Sequence, residues 1–300
     1  MDRFEALRLF VRLAERESFT GAARDLGVKQ STASKWVAAL EEEHGVALVE
    51  RTTRALRFTE AGQVFLGHAR DVLAAYEELE ASVARDDGPR GRLRVSLPVV
   101  FGRRHVVPAL VPFLQANVGV EVQLVLSDRY VSLVDEAFDL AVRVGEPVDT
   151  SDRSRKLADG GRVLVASKEY LASNGRPRHP RELRGHRCLS HVDTTTRTVW
   201  RFRKEGEAEV AVPVGGGVGA NHSDAVLELA RAGLGVALLA DWLVAQDLRE
   251  KRLVPLLRGW SSPPASVYAI WPASKRPRAV VRAVVEHLGS TLPRRIGRAK

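Results

Sequence analysis

The sequence predicts an α/β protein made of a helical N-terminal unit and a larger C-terminal unit in which strands and helices alternate. Three observations carry this. Up to Arg85, apolar side chains recur every three or four positions, interrupted once by two short β-type segments. From Arg90 onward, short Val- and Leu-rich runs alternate with helical-period segments, the pattern of a mainly parallel sheet with crossover helices. Between the two, Asp86-Asp87-Gly88-Pro89 is polar and ends in Gly-Pro, which marks a boundary. A chain of 300 residues fits two domains or three lobes. With 45% hydrophobic and 28% charged residues it can bury a real core, so disordered, collagenous and purely coiled-coil chains are excluded.

In the first unit, Phe4, Leu7, Phe10 or Val11, and Ala14 share one face of a helix. Ser18 or Thr20 can cap a short second helix through Ala22, Ala23 and Leu26, which Gly27 ends. A third helix over 30–44 turns Ala33, Val37 and Leu40 inward and stops at Gly45. Two helices joined by the tight Leu26-Gly27-Val28 connection form a helix-turn-helix. Ala47-Leu48-Val49 and Leu56-Arg57-Phe58 then flank Glu50-Arg51-Thr52-Thr53-Arg54, a basic tip between two β segments that looks like a wing. Thr59 caps a long helix over 60–85 whose Phe65, Ala69, Val72, Tyr76, Leu79 and Val83 form a heptad stripe. Such a stripe packs on its own domain or on a second subunit. A helix between two domains has little of its own chain to cover it, which favours a dimer seam.

In the second unit, strands are expected over 93–97, 120–126, 140–144, 162–166, 210–214, 236–239 and 267–271. Helices are expected over 104–116, 131–138, 223–232, 242–249 and 278–292. Gly233 stands where a helix C-cap favours glycine.

The net charge of +9 invites a nucleic-acid partner, but its location matters more than its size. Residues 1–88 hold 12 basic against 16 acidic side chains, leaving 34 against 21 for residues 89–300. DNA binding by the first unit therefore rests on a local patch. Cys188 is the single cysteine, which excludes an intramolecular disulfide framework and suits a reducing cytoplasm. Met1-Asp2-Arg3-Phe4-Glu5 does not resemble a signal peptide, and the apolar stretch from Gly233 to Ala245 is too short to span a bilayer. A cytoplasmic protein with no membrane contact is expected.

Motifs for catalysis and metals fail on inspection. Gly215-Gly216-Gly217-Val218-Gly219 has no GK[ST] after it, and neither a G-x-S-x-G elbow nor an H-E-x-x-H pair occurs. His186, Cys188 and His191 suggest a metal, but no fourth ligand lies nearby, and a partly buried strand explains them better. No catalytic residue, metal ligand or cofactor is expected, and the chain is read as a non-enzyme.

The stretch Phe19-Thr20-Gly21-Ala22-Ala23-Arg24-Asp25-Leu26-Gly27-Val28, with Ser31-Thr32-Ala33-Ser34-Lys35, resembles the N-terminal signature of LysR-type transcriptional regulators. Leu40-Glu41, Gly45-Val46, Leu48, Arg51-Thr52-Thr53-Arg54 and Thr59-Glu60-Ala61-Gly62 continue it. So do Ser96-Leu97-Pro98, the run Phe138 to Gly145, and the run Gly233 to Leu239. The resemblance covers nearly the whole chain in order. It implies a winged helix-turn-helix over 1–59, a linker and dimerisation helix over 60–88, and an effector domain over 89–300. That domain would be two-lobed α/β, like type 2 periplasmic binding proteins, with lobe one at 90–160 plus 266–300 and lobe two at 161–265. The resemblance further implies a homodimer through the linker helix, a homotetramer, and a small-molecule effector.

On the third helix, Gln30 can pair with adenine, Thr32 can touch a thymine methyl, and Lys35 suits guanine or a phosphate. Ser31 and Ser34 are short enough to let the helix approach phosphates. Arg51, Thr53 and Arg54 at the wing tip would clamp the backbone or minor groove of double-stranded DNA. Lys29 stands where the family often has a capping Ser, leaving Ser31 as a later cap, and Trp36 stands where Gln or Arg is common. In the resemblance, Ser96, Pro98, Phe101, Gly145, His222 and Ser223 line the effector cleft. Ser96 and Ser223 would grip a carboxylate between the apolar walls Pro98 and Phe101, in a crevice whose helix N-termini favour anions. A solute-binding protein and an enzyme with an appended DNA-binding domain are the alternatives. The helix-turn-helix argues against the first, and only His222 and Asp224 approximate a catalytic pair for the second.

Overall fold

Asp2 accepts a hydrogen bond from the Phe4 amide (2.9 Å) and so starts helix α1, Arg3–Arg16. Ser18 does the same for α2, Phe19–Asp25, through the Gly21 amide (3.3 Å). Gly27, at φ 66°, turns the chain into α3, Gln30–His44, which Gly45 ends in the left-handed conformation. The computed structural model describes residues 2–51, 56–83, 88–147, 152–191, 198–214, 218–273 and 277–296. It divides into two units, Met1–Gly91 and Arg92–Lys300.

The three helices bury Leu9, Phe10, Leu13, Ala22, Ala33, Val37 and Leu40 in one cluster. Strands β1 (Val49–Arg51) and β2 (Leu56–Phe58) pair antiparallel, with Val49 opposite Phe58. The Thr59 hydroxyl donates to the Ala47 carbonyl (2.7 Å) and accepts from the Gly62 amide (2.9 Å), which starts α4, Glu60–Val83. At Gly62 an added Cβ would lie 2.0 Å from the Leu48 carbonyl oxygen, so only glycine lets helix and hairpin meet.

The heptad stripe of α4 proves to be divided. Phe65 packs edge-on against Phe10, Ala69 is buried, and the Tyr76 ring lies 4.7 Å from that of Phe4. These residues are covered by their own domain, because α1 runs alongside α4 and supplies the apolar surface. Val64, Val72 and Leu79 are left exposed at 60%, 45% and 59%. Of the stripe, Val72 and Leu79 thus stay exposed while Phe65, Ala69 and Tyr76 are used within the domain; the Val83 side chain lies outside the described residues.

The second unit contains two five-stranded sheets. The first orders β4 (Val120–Leu126), β3 (Gly91–Leu97), β5 (Leu140–Val144), β14 (Val267–Trp271) and β6 (Arg153–Ala158). The second orders β11 (Gly219–Ala220), β8 (Cys188–His191), β12 (Val236–Ala240), β7 (Arg162–Ser167) and β13 (Leu253–Pro255). A hairpin of β9 (Thr198–Phe202) and β10 (Val210–Val214) completes the strands among the described residues.

The expected mainly parallel sheet is corrected to two mixed ones. β3 pairs parallel with β5, and β8 with β11 and β12, but β14 is antiparallel to β5 and β6, and β7 to β12 and β13. The chain leaves the first lobe along β6 and returns along β14, and two passes in opposite directions must pair antiparallel. The partly buried strand expected around Cys188 is β8, whereas strands β6, β9, β11 and β13 were not anticipated; the exposed Arg153–Lys156 half of β6 has no apolar alternation to reveal it.

One face of the first sheet is covered by α6 (Val107–Ala116) and α10 (Ala279–Arg295), which pack Leu110, Val281, Val285 and Leu288 on Leu93, Val95, Leu140 and Val142. The other face carries the segment 127–138, where Val131, Leu133 and Phe138 meet Ala141 and Ile270. The helix expected over 131–138 is absent. Its buried positions are not at helical spacing, and Ala137 at φ 53° closes a wide turn in which the Phe138 amide bonds the Leu133 carbonyl (2.8 Å). The helix expected from Arg104 starts earlier. Val99–Phe101 is α5, a π-turn follows over Gly102–Val106, and the chain then enters α6.

In the second lobe, α8 (Ser223–Arg231) and α9 (Asp241–Arg249) cover one face of the sheet. α7 (Lys168–Asn174) and the β9–β10 hairpin cover the other. At the crossing, the Ala265 amide bonds the Gly160 carbonyl (2.9 Å), and a Cβ on Gly160 would sit 2.5 Å from the Ala265 oxygen. Beside it the Arg162 guanidinium donates to the Pro263 carbonyl (2.9 Å).

Candidate nucleic-acid interface and inter-lobe cleft

Ala33, Val37 and Leu40 fix one face of α3 in the core, which sets the opposite face outward. Gln30, Ser31 and Lys35 are exposed there, and Thr32 and Ser34 are half-buried beside them. Ser31 and Lys35 are one turn apart, as are Gln30 and Ser34, so the five form one surface over the first two turns. Lys29 occupies the N-cap without a side-chain hydrogen bond, and Ser31 lies inside the helix rather than capping it. The backbone amides of the first turn therefore lack a side-chain cap at the very end that carries the polar face. Trp36 packs against the core cluster, so its ring serves the fold. Arg51 is the last residue of β1; its side chain, with Thr53 and Arg54, lies outside the described residues.

Of the residues expected at the cleft, Phe101 and His222 contact the opposite lobe, through Trp242 and Asp128. Ser96, at the end of β3, is fully buried, and its hydroxyl accepts from the Arg143 guanidinium (2.9 Å). Pro98 is half-buried at the N-cap of α5, where its carbonyl accepts from the Gly102 amide (2.7 Å). Phe101 is 1% exposed and packs between His105 and Trp242, with ring centroids 5.0 Å from each. Its ring is thus enclosed in the seam between the lobes instead of forming an open wall, because Trp242 of α9 lies over it. Burial holds the His105 imidazole below its ordinary pKa, with Arg295 and Arg104 acting in the same direction.

Gly145, at φ 102°, follows β5, and its amide donates to the Ser266 carbonyl (2.8 Å) just before β14. His222 precedes α8 and does not cap it. Instead its Nδ1 lies 2.8 Å from Oδ2 of Asp128, in lobe one, while Oδ1 of Asp128 accepts from the Val99 amide (2.9 Å). Ser223 is the half-buried first residue of α8.

Two residues of this junction were missed. Arg143 breaks the otherwise apolar Leu140-Ala141-Val142-Arg143-Val144 strand, a signal that was available. Asp128 follows the end of β4 and carries no sequence signature. Burial pushes the Arg143 guanidinium below its ordinary pKa, and the nearby Asp128, Tyr130 and Glu136 push back. Among the described residues, no three His, Cys, Asp or Glu side chains are placed to hold a metal ion. His186 instead shares a hydrogen bond with the Tyr170 hydroxyl (3.2 Å), and burial raises the Cys188 thiol to about 11.

Residues 4–63 match the bacterial regulatory helix-turn-helix proteins of the lysR family, and residues 86–293 match the LysR substrate binding domain. The chain is 34% identical to the HTH-type transcriptional regulator PtxR of Pseudomonas aeruginosa, over 94% of this chain and 92% of that one. It is equally identical to the regulator DmlR of Escherichia coli, with the same coverage of both chains. Among solved structures it resembles CrgA, a LysR-type regulator from Neisseria meningitidis, at 30% identity and a TM-score of 0.58, over 95% of this chain and 98% of that one. A full-length AphB variant gives 26% identity and a TM-score of 0.61, over 94% and 97%. With both parts matched in order and relatives covered along nearly their whole length, the chain belongs to the LysR family of transcriptional regulators.

Proposed function

We propose that this LysR-type regulator reads a double-stranded DNA operator with paired half-sites, as a homodimer through α4 that assembles into a homotetramer. Residues 1–59 are assigned to DNA binding, 60–88 to dimerisation and 89–300 to the effector. The observation that carries the DNA assignment is the surface of Gln30, Ser31, Thr32, Ser34 and Lys35 on a helix held by buried Ala33 and Val37. Donors and small side chains there suit the major-groove floor, with Arg51, Thr53 and Arg54 on the adjacent backbone. Its effector is a small anionic molecule held between the lobes near Ser96, Pro98, Phe101, Gly145, His222 and Ser223. The Asp128–His222 contact supports this reading, because a group lodged there touches both lobes. No described helix is long and apolar enough to cross a membrane, which accords with action in the cytoplasm.

A gel-shift with DNA from upstream of the protein's own gene tests the reading. Specific retardation that a bulky Ser223→Trp leaves intact, while abolishing the response to inducer, is the expected result. Retardation insensitive to competitor sequence would overturn the operator assignment.

A further inference from the structure

We infer that Arg143 is the counter-charge for a carboxylate ligand seated between the two lobes. This rests on the reading of the cleft as the effector site, and it names the chemistry that holds the ligand.

Leu140 and Val142 of β5 face the α6–α10 side of the sheet, whereas Ala141 faces the 127–138 segment. Strand alternation places Arg143 on the same side as Ala141, and Ser96 pairs directly opposite Ala141 on β3. Arg143 and Ser96 therefore meet under the 127–138 segment, at the edge that reaches lobe two through Asp128 and His222.

The guanidinium there is largely withdrawn from water, yet its hydrogen bonds go only to neutral acceptors. These are the Val142 carbonyl (2.8 Å), the Ser96 hydroxyl (2.9 Å) and, at the limit, the Arg129 carbonyl (3.5 Å). Of five N–H donors, at least two remain for another acceptor. Elsewhere in this unit Arg231 is paired with Asp247 and Arg278 holds Asp139 at 2.8 Å, whereas Arg162, at the crossing, donates like Arg143 to neutral acceptors, the Pro263 and Pro264 carbonyls.

The acids near Arg143 are engaged elsewhere. Asp128 uses one oxygen on the Val99 amide and the other on His222, and Glu136 is bound to Arg129 (2.7 Å). A desolvated cation without a bonded anion is costly. A ligand carboxylate relieves that cost, with the Ser96–Arg143 bond fixing the fork in position. One cation beside an aspartate favours a carboxylate over a phosphate dianion, which would need more donors and would be repelled by Asp128.

The test is titration calorimetry on the full chain with acetate, succinate, phosphate and the neutral acetamide, for the parent, Arg143→Gln, Arg143→Lys and Ser223→Trp. The melting temperature of each protein without ligand reports folding. The parent is expected to bind succinate or acetate in preference to acetamide and phosphate. Arg143→Gln should weaken the carboxylate about 10- to 100-fold, and Arg143→Lys, which keeps the charge but loses the fork, by less. If Arg143→Gln does not fold, the same comparison is read from Arg143→Lys, for which any weakening of several-fold supports the assignment and none overturns it. A parent that binds no carboxylate, prefers phosphate, or binds acetamide equally well overturns it too. If Ser223→Trp blocks the carboxylate while the Arg143 variants do not, the cleft stands and the arginine falls. If none of the three variants changes binding, the site lies elsewhere and both readings fall.

Discussion

Asp247→Asn removes the charge at the centre of a network that ties α8, α9 and β13 together. The Asp247 side chain is 0% exposed, with Arg231 donating Nε to Oδ1 (2.6 Å) and an NH2 group to Oδ2 (2.7 Å), and Arg252 Nε also reaching Oδ1 (2.7 Å). Removing one partner of a buried ion pair costs about 3–5 kcal/mol. Here the arginines are 26% and 43% exposed and have Glu228 and Glu250 as second partners, so they can turn to water. The low end, about 3 kcal/mol, is therefore expected. In a unit of this size, each kcal/mol shifts the melting temperature by about 2–4 °C, which gives roughly 6–12 °C for the Arg92–Lys300 transition in calorimetry. The pH dependence is an independent check. Burial alone would raise the Asp247 carboxyl, but hydrogen bonds from Arg231 and Arg252 outweigh it and hold it below its ordinary 3.8. A depressed folded-state pKa contributes stability that is present above the unfolded value and lost as pH falls through the folded one. The gap between parent and variant should thus be constant from pH 7 to 5 and should close below about pH 4. A gap under about 1 kcal/mol at neutral pH, or one that persists undiminished into acid, would refute the reasoning.

Lys35→Ala should weaken operator binding by roughly 1–3 kcal/mol in a gel-shift if the side chain reads a base; an unchanged footprint and affinity would remove it from the interface. Leu79→Asp places a charge on the exposed face of α4 and should dissociate the dimer in sedimentation, with operator affinity collapsing as one half-site is lost. Tyr76→Asp is the less informative substitution, since it also strips the ring from Phe4 within its own domain. Gly62→Ala should destabilise the N-terminal unit by more than about 2 kcal/mol, because the added carbon meets the Leu48 backbone rather than a movable side chain; a melting temperature like the parent's would show that helix and hairpin can separate freely.

What was legible in the sequence follows the range of the forces involved. Local signals sufficed for α3, where Gln30 opens a helical apolar stripe and Gly45 closes it, and for α2, where Ser18 caps. They failed where a segment takes its shape from a distant neighbour. Val131, Leu133 and Phe138 look helical in composition, but their positions are dictated by Ala141 and Ile270 across the sheet. Strand β6 is polar on its exposed half and exists because β14 returns beside it. The same distinction holds at the cleft. Ser96 and His222 came from motif resemblance, while their partners Arg143 and Asp128 are 47 and 94 residues away in sequence. Arg143 shows as a lone charge in an apolar strand, but which distant residue it pairs with leaves no trace in local pattern.

The two lobes are joined by polar links of unequal kind, and the inequality bears on how a ligand between them would act. At the crossing, the Gly160 backbone lies so close to the Ala265 carbonyl that a side chain on Gly160 is not tolerated, and a backbone hydrogen bond joins the two. Across the cleft, the Asp128–His222 contact joins side chains that are 19% and 42% exposed, so water can replace each partner. A contact of that exposure contributes about 0.5–1.5 kcal/mol net, a population ratio on the order of ten or less. A ligand that touches both lobes needs only a comparable difference in affinity between two lobe orientations to redistribute them. Tight binding is not required for such a shift. What is required is that the ligand's contacts differ between orientations, and on the reading proposed above Arg143 would supply them from lobe one and His222 and Ser223 from lobe two.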